Sequence, residues 1–193
     1  MSHPFAFMMN ALASLDLNIV YALSSIRTPV GVSMFSLITD LGGAVVVIPV
    51  ALFVCAMLWY RKELPYAIGL IAAVLGGEVV KDSIKELVMR ARPPVELHAI
   101  VEDGWSFPSG HATAALALYG FLIYATWKFS PASWRMPLTI LFSAIILFVG
   151  FSRLYLGVHY TSDVVAGFAL GALFLWFGVL IGKRLSGSGG ARG

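Results

Sequence analysis

The stretch Leu41–Tyr60, LGGAVVVIPVALFVCAMLWY, is twenty residues long and carries no charged side chain. A helix needs about 20 apolar residues to cross about 30 Å of hydrocarbon. The whole chain has the same character, because 59% of its 193 residues are hydrophobic and only 12% are charged, whereas an average soluble domain carries about 25% charged residues. The sequence therefore predicts an integral membrane protein and excludes an ordinary soluble domain.

Four more apolar stretches follow and predict further spans, since each is bounded by charged residues or by proline. The first begins at Pro65 and stays uncharged up to Glu78, and the others cover about Ala112–Trp127, Pro137–Phe151 and Tyr160–Gly182. No linker separates two halves of the chain. We therefore expect one domain, residues 1–193, with an all-α polytopic bundle of five spans as its core at residues 41–182.

The N-terminal segment, residues 1–40, mixes apolar side chains with Asp16, Asn18 and other polar residues. This spacing predicts helices that lie in the membrane interface. The alternative is a sixth span that ends near residue 26, which would bury Asp16 and Asn18 in hydrocarbon at considerable cost. At the other end, residues 183–193 are rich in glycine and serine, and we expect them to form a flexible tail.

With five spans, the basic residues of the short loops and of the chain end fall on one side of the membrane. They are Arg61, Lys62, Lys128, Arg135, Lys183 and Arg184. By the positive-inside rule that side is cytoplasmic, so residues 81–111 and 152–159 lie on the outer side. These two segments contain nearly all of the candidate chemistry.

The first candidate motif is KELVMRARP, residues 85–93. Lys85 and Arg92 are seven residues apart, close to two helical turns, so both cations can project toward one site. Pro93 disfavours helix at Arg92 and frees the guanidinium from the helix end. Alternatively, these are ordinary interfacial cations near anionic headgroups. The motif alone does not distinguish the two interpretations.

The second motif is FPSGH, residues 107–111, directly before the third predicted span. Ser109 is a good N-cap, and the free N–H groups of the first helical turn, together with the helix dipole, form an anion site beside His111. The alternative interpretation is a capping serine next to a histidine at the membrane interface. A phosphate site is thus one of two open possibilities here.

The third motif is SRLYLGVHYTSD, residues 152–163. His159 and Asp163 are four residues apart, so on a helix they share a face and the carboxylate can hold one ring nitrogen while the other points outward. This arrangement is typical of a nucleophilic or basic histidine. The alternative is a structural His–Asp pair that closes a helix end, with Arg153 close by.

Together the three motifs supply three cations, a helix N-terminus and two histidines, one of which has a carboxylate partner. Three cations match the three non-bridging oxygens of a phosphoryl group. The sequence contains no Cys/His cluster, and its lone cysteine, Cys55, lies inside the first predicted span. We therefore expect phosphoryl chemistry without a metal or another cofactor.

The ordered motifs KxxxxxxRP, PSGH and SRxxxxxHxxxD resemble the signature of the type 2 phosphatidate phosphatase superfamily, which also includes soluble acid phosphatases and vanadium haloperoxidases. All motif positions match, and the resemblance covers residues 41–182. It implies a membrane enzyme that hydrolyses a phosphoric ester or anhydride of a lipid. Membrane members commonly have three spans before the first motif, whereas this sequence predicts two there.

The resemblance also implies a role for each motif residue. His159 would attack phosphorus and form a phosphohistidine, Asp163 would orient it, and His111 would protonate the leaving alkoxide and then activate water. The remaining residues would bind the phosphoryl oxygens; they are Lys85, Arg92, Arg153, Ser109 and the backbone N–H of Gly110.

The implied substrates are phosphatidic acid, phosphatidylglycerol phosphate or an undecaprenyl pyrophosphate, met at the outer, periplasmic side of a bacterial-type inner membrane. No nucleic-acid partner is expected. A lipid phosphotransferase with the same phosphohistidine, a vanadate-dependent peroxidase and a non-enzymatic transporter remain as alternatives. Gly167 and Gly171 form a GxxxG pair, interpreted as close packing within one bundle rather than a dimer face; the oligomeric state stays open.

Overall fold

The computed structural model describes the backbone of residues 4–189 and the side chains of residues 12–187. Every regular element in this part of the chain is helical, so the predicted all-α fold is confirmed. The elements are seven α-helices and one short 3-10 turn: α1 Pro4–Ser25, α2 Pro29–Asp40, α3 Ala44–Tyr60, α4 Leu64–Val88, the turn Val95–Leu97, α5 Gly110–Phe129, α6 Ala132–Tyr155 and α7 Thr161–Gly189.

Four of the helical segments among the described residues are long and apolar enough to cross a membrane: Pro29–Tyr60, Leu64–Val88, Ala132–Tyr155 and Thr161–Gly187. The first of these joins α2 to α3. We predicted five spans, and the additional one, Ala112–Trp127, falls on α5. This helix is regular, but α4, α6 and α7 pack around it, so it needs less apolar surface than a helix that faces lipid.

The core of the bundle lies along α5, where Leu118 and Phe121 are completely buried. By contrast, large apolar side chains are exposed on the outside of the bundle; Phe53 is 69% exposed and Leu147 is 66% exposed. An apolar exterior of this extent would be a liability in water, and it suits hydrocarbon. The packing thus agrees with a bundle surrounded by lipid.

Two glycines set the distance between α5 and α7. A Cβ atom on Gly167 would lie 2.6 Å from the carbonyl oxygen of Ser109, and one on Gly171 would lie 2.7 Å from the carbonyl oxygen of Thr113. Glycine therefore allows the two backbones to approach closely. The GxxxG pair packs within the bundle, as predicted, and it brings the start of α7 against the start of α5.

The N-terminal helices cover the end of the bundle at which α6 ends and α7 begins. On α2, Phe35 packs against Phe151 and Tyr155 of α6. In α1, Asp16 accepts a hydrogen bond of 3.0 Å from the backbone N–H of Ser162. Arg27, just after α1, donates to the carbonyl oxygen of Tyr155 at 2.5 Å. Since both ends of the segment 16–27 meet the same end of the bundle, this segment runs across that end.

The sequence argument counted the burial of Asp16 as a cost, and the structure shows how that cost is offset. Asp16 is only 3% exposed, but its carboxylate pairs with the guanidinium of Arg90 at 2.9 Å. A buried charge with an ionic partner and hydrogen bonds is tolerated far better than an isolated one. An interfacial position of α1 in the membrane stays a prediction.

Basic residues of the short loops lie at the opposite end of the bundle, away from the start of α7. There, Nζ of Lys128 lies 4.8 Å from the ring centroid of Tyr66, and Nζ of Lys183 lies 5.6 Å from that of Tyr124. The expected flexible tail, 183–193, starts as helix, because α7 continues to Gly189; the last four residues lie outside the described part. Once α7 has formed, each added residue gains one backbone hydrogen bond. The helix can therefore continue into the glycine- and serine-rich residues up to Gly189, although their helix propensity is low.

Replacing Gly171 with alanine is expected to destabilise the bundle by about 1–3 kcal/mol, the usual cost of overpacking. The added Cβ would meet the backbone of α5, which cannot move aside as a side chain can. Gly187→Ala is the matched control, because a Cβ there has open space around it. Thermal unfolding in detergent measures both; equal melting temperatures for the two variants would contradict the packing argument.

Candidate active site

The three motifs meet at one end of the bundle. The backbone N–H of Ser109, before α5, donates to the carbonyl oxygen of Asp163 at 3.0 Å, which joins the second motif to the third. Arg92, after α4, donates through Nη1 to the carbonyl oxygen of Val158 at 2.8 Å, which joins the first motif to the third. Stretches far apart in the sequence thus form one site.

His159 lies at the centre of this site and is only 1% exposed. The sequence argument placed His159 and Asp163 on one helix, but His159 lies just before α7. The expected pair nevertheless forms, since Nδ1 lies 3.4 Å from Oδ2 of Asp163. On the other side of the ring, Nε2 lies 3.2 Å from Nη1 of Arg92. A guanidinium can only donate, so the proton belongs on Nδ1, facing Asp163, and Nε2 carries the free electron pair.

Asp163 is completely buried and has four polar neighbours. Besides His159, its Oδ2 accepts from the backbone N–H of Tyr160 at 2.9 Å and from the hydroxyl of Ser106. Its Oδ1 accepts from Nη1 of Arg90 at 2.6 Å. The carboxylate is therefore fixed in one orientation, and it closes the first turn of α7 while it holds the histidine. Both interpretations that the sequence left open, orienting group and structural helix closure, apply.

The first motif departs from its predicted helical geometry. The helix α4 ends at Val88, because Met89 adopts a left-handed conformation with φ of 48°. Arg92 lies in the loop beyond it, where Nε and Nη2 donate to the carbonyl oxygens of Gly104 and Asp103 at 3.0 and 2.8 Å. A two-turn helical face for Lys85 and Arg92 was thus wrong. The loop nevertheless carries Arg92 to the site, as expected from Pro93.

The other two predicted cations also reach the site. Nζ of Lys85 donates to the carbonyl oxygen of Trp105 at 2.7 Å. Arg153, at the end of α6, is completely buried; its Nη1 donates to the hydroxyl of Thr39 at 2.8 Å, and its Nη2 lies 2.6 Å from Oε2 of Glu102. Its Nε has no hydrogen-bond partner among the described residues, and so can donate to a ligand.

Ser109 occupies the predicted N-cap position of α5, but its hydroxyl does not cap the helix. The residue is completely buried, and Oγ has no hydrogen-bond partner among the described residues. Buried polar atoms are almost always paired, so the hydroxyl of Ser109 is an exception at the start of α5. Gly110 and His111 follow as the first residues of α5.

One cavity of about 300 Å³ reaches part of this site; Arg92, Arg153, Ser109 and Asp163 are not among its lining residues, whereas the charged side chains of Glu78, Lys81 and Glu102 are. At its polar end lie His159, His111, Gly110 and Lys85. Its remaining wall is largely apolar and comes mainly from α3 and α4; this wall includes Val47, Ile48, Val74 and Leu75. Ile48 is 53% exposed and Leu75 is 58% exposed, so the cavity opens between these two helices on the apolar side of the bundle.

The environment keeps the histidine neutral. The net pKa of His159 is lowered from 6.5 to about 4: burial is the largest cause, the hydrogen bond with Asp163 acts in the opposite direction, and the charges of Arg153 and Arg92 act in the same direction as burial. For Glu102, burial is the largest single cause and raises the pKa, but Arg153, His111 and Arg92 together outweigh it, so that the net pKa lies below 4.5. At neutral pH the site thus presents an uncharged imidazole among charged guanidinium and carboxylate groups.

Sequence reasoning missed several residues that contact the site, namely Asp16, Thr39, Arg90, Glu102 and Ser106. Arg90 had a signal, because it lies inside the first motif two residues before Arg92. For Asp16 and Thr39, which come from the N-terminal helices, no spacing links them to the motifs. Glu102 also lies 3.6 Å from Arg92, and bridges two of the predicted phosphate ligands.

Four aromatic residues within or close to the motifs are not among those that line the cavity. They are Trp105, Phe107, Tyr155 and Tyr160. Tyr155 is buried against Phe35 of α2 instead, with 4.5 Å between ring centroids. Among residues 12–187, no group of three or more His, Cys, Asp or Glu side chains is arranged to hold a metal ion.

Comparison with known proteins gives consistent matches. A family model described as the PAP2 superfamily matches residues 62–186. The phosphatidylglycerophosphatase B of Bacillus subtilis is 33% identical over 172 residues, which cover 86% of this chain and 83% of that protein. The lipid A 1-phosphatase of Rhizobium etli is 30% identical over 125 residues, which cover 58% of this chain and 47% of that protein.

The fold is similar to that of a solved relative. The crystal structure of a transmembrane PAP2-type phosphatidylglycerolphosphate phosphatase from Bacillus subtilis superposes with a TM-score of 0.84 and 30% identity, covering 91% of this chain and 88% of that chain. The family resemblance inferred from the three motifs is confirmed by the family model, which covers more than half of the chain. This chain therefore belongs to the PAP2 superfamily, as an integral membrane phosphatase.

Proposed function

We propose that this enzyme hydrolyses a lipid phosphate monoester or pyrophosphate through a phosphohistidine on His159, without a metal ion. The observation that carries the proposal is the shared cavity, in which both histidines face an apolar wall open to the outside of α3 and α4. A phosphate head group with a long hydrocarbon chain matches such a cavity at both ends. The relative named phosphatidylglycerophosphatase B makes phosphatidylglycerol phosphate the first substrate to test.

In the proposed first step, Nε2 of His159 attacks phosphorus in line and the bond to the leaving oxygen breaks. The proton on Nδ1 and the carboxylate of Asp163 stabilise the positive charge that develops on the ring. Burial and, after it, Arg153 lower the pKa of His111 to about 3 in the substrate-free site; the negative charge of the bound phosphate raises that pKa, so that His111 takes up a proton with the substrate and gives it to the departing lipid alkoxide. It then takes a proton from water, which attacks the phosphohistidine, so that inorganic phosphate leaves and His159 is restored.

The proposal assigns the phosphoryl oxygens to donors that are fixed before the substrate binds. Arg92 is held by backbone carbonyl groups, Arg153 by Thr39, and Lys85 by Trp105. Donors held in place in a water-poor site stabilise transition-state charge without first reorganising. The unpaired hydroxyl of Ser109 and the N–H of Gly110 would complete the set.

We also place this site at the outer, periplasmic face of a bacterial-type inner membrane. The support is the basic cluster at the opposite end of the bundle, which includes Lys128 and Lys183, because such residues favour the cytoplasmic side. Free phosphate would then be released outside the cytoplasm.

His159→Gln is expected to lower phosphate release by roughly 10³-fold or more, since it removes the nucleophile. The measurement is free phosphate from phosphatidylglycerol phosphate, phosphatidic acid and undecaprenyl pyrophosphate in detergent, with and without a chelator. Full activity of the variant, or loss of wild-type activity in the chelator, would refute the mechanism. Label from the substrate that appears in a second lipid, without free phosphate, would favour phosphotransfer.

His111→Gln is expected to accumulate phosphoenzyme when the leaving group is a good one. Such a group departs without a general acid, whereas the attack of water still lacks its base. Enzyme that has reacted with a ³²P-labelled aryl phosphate and is then quenched in alkaline detergent would carry label in this variant, and the label would be lost on treatment with acid. The double variant that also carries His159→Gln should show none, and label that persists there would place the intermediate elsewhere.

The ring of His159 is expected to titrate near pH 4, well below the ordinary value of 6.5. Because its pKa is lowered, the nucleophile stays neutral above about pH 4, and it is lost to protonation as the pH falls through that value. Arg92→Gln removes a cation next to Nε2, so the pKa should rise. NMR titration of histidine-labelled protein measures both, with His159→Gln to assign the resonance. A pKa that does not move in Arg92→Gln would contradict the electrostatic explanation.

A further inference from the structure

The guanidinium of Arg90 connects the N-terminal helix α1 to the carboxylate that orients the histidine. Its Nη1 lies 2.6 Å from Oδ1 of Asp163, and its Nη2 lies 2.9 Å from Oδ2 of Asp16. The same Nη1 donates to the hydroxyl of Ser162 at 2.7 Å. The plane of the guanidinium is fixed by a further contact, since its carbon lies 4.3 Å from the ring centroid of Tyr160.

These contacts divide the two oxygens of Asp163 between two tasks. Oδ1 is taken by Arg90, while Oδ2 faces His159, Ser106 and the N–H of Tyr160. A carboxylate without a partner on Oδ1 could rotate about its terminal torsion, which is broad. Arg90 therefore keeps the oxygen that receives the Nδ1 proton in one place, and it does so from outside the cavity.

Asp16 fixes Arg90 in turn. One of its oxygens accepts from the backbone N–H of Ser162 at 3.0 Å and the other accepts from the hydroxyl of the same residue. Its side chain is only 4% exposed, and Arg90 is its ionic partner. A buried carboxylate that loses its cation strongly destabilises a protein. The packing of α1 against the bundle and the position of the Arg90 side chain therefore depend on each other.

We propose that Arg90 and Asp16 are positioning residues of the phosphatase reaction: an Asp16–Arg90–Asp163 chain aligns His159, and α1 is thereby a part of the active site. This inference rests on the proposed roles of His159 and Asp163. It assigns a catalytic consequence to an N-terminal helix that has no residue in any of the three motifs.

Neither positioning residue lines the cavity, so the chain affects the nucleophile and not the binding of lipid. Arg90→Gln is expected to lower kcat by about 10- to 100-fold, by analogy with the loss seen when a group that orients a metal-bound histidine is removed, with KM unchanged. Arg90→Lys keeps the charge but can no longer span both carboxylates in the same plane, so its kcat should fall between those of the wild type and Arg90→Gln.

The matched control is Arg135→Gln, at the opposite end of the bundle. Arg135 also lies over an aromatic ring, with its guanidinium carbon 5.8 Å from the centroid of Trp127, but it contacts nothing in the site. Its loss should leave kcat unchanged. Melting temperatures in detergent accompany each variant. If Arg90→Gln does not fold, Arg90→Lys decides alone: a lower kcat at constant KM supports the inference, and wild-type kcat overturns it.

A double-variant cycle tests whether Arg90 acts through Asp163. In a chain that already carries Asp163→Asn, Arg90→Gln should cause little further loss of kcat, because coupled residues are not additive. Losses that multiply would overturn the inference. Asp16→Asn should reproduce the effect of Arg90→Gln in weaker form, and an unchanged kcat would remove Asp16 from the chain.

His159→Gln distinguishes a failure of the proposed function from a failure of the positioning chain. If that variant keeps full activity, the proposed function itself fails. If it is inactive while Arg90→Gln and Arg90→Lys both keep wild-type kcat, the proposed function stands and only the positioning chain is rejected.

Discussion

The buried carboxylate of Asp163 is the contact on which the site depends, because groups from separate parts of the chain converge on it. His159, Ser106 and Arg90 reach it from three different segments, and Asp163 itself starts α7 through the N–H of Tyr160. A completely buried charge requires such partners. Folding of this end of the bundle therefore also assembles the pair of His159 and Asp163.

The glycines of α7 supply the geometry for this convergence. Gly167 lets the start of α7 approach the backbone at Ser109, where the N–H of Ser109 bonds to the carbonyl of Asp163. Any side chain at that position would move the second and third motifs apart. Since a displacement of about 1 Å can cost 10²-fold in rate, close helix packing several residues away from the chemistry is a requirement of the site.

The sequence predicted the parts that follow local rules. Apolar length predicted the helices, and motif order predicted the residues that gather at one end, because antiparallel helices bring every second connection together. Contacts that depend on packing could not be predicted from the sequence. Asp16 pairs with Arg90 only because α1 lies across the bundle. The hydroxyl of Ser109 does not form the N-cap hydrogen bond that its position favours. The stretch that forms α5 was predicted as a span, but hydropathy cannot distinguish burial in protein from burial in lipid.

Burial makes the site difficult to predict, and the pairing of its charged groups explains how a neutral histidine and several cations lie together at one end of the bundle. The arginines are held by carboxylates and carbonyl groups: Arg153 by Glu102, Arg90 by Asp16 and Asp163, and Arg92 by loop carbonyls. Little net positive charge has to be buried before the substrate arrives. In the proposed reaction, a phosphate group would enter beside cations whose own desolvation was compensated during folding, so its binding would not require that cost again. The apolar gap between α3 and α4 would leave the lipid chain in contact with hydrocarbon throughout, and the dephosphorylated lipid would return to the bilayer while phosphate is still held at the site.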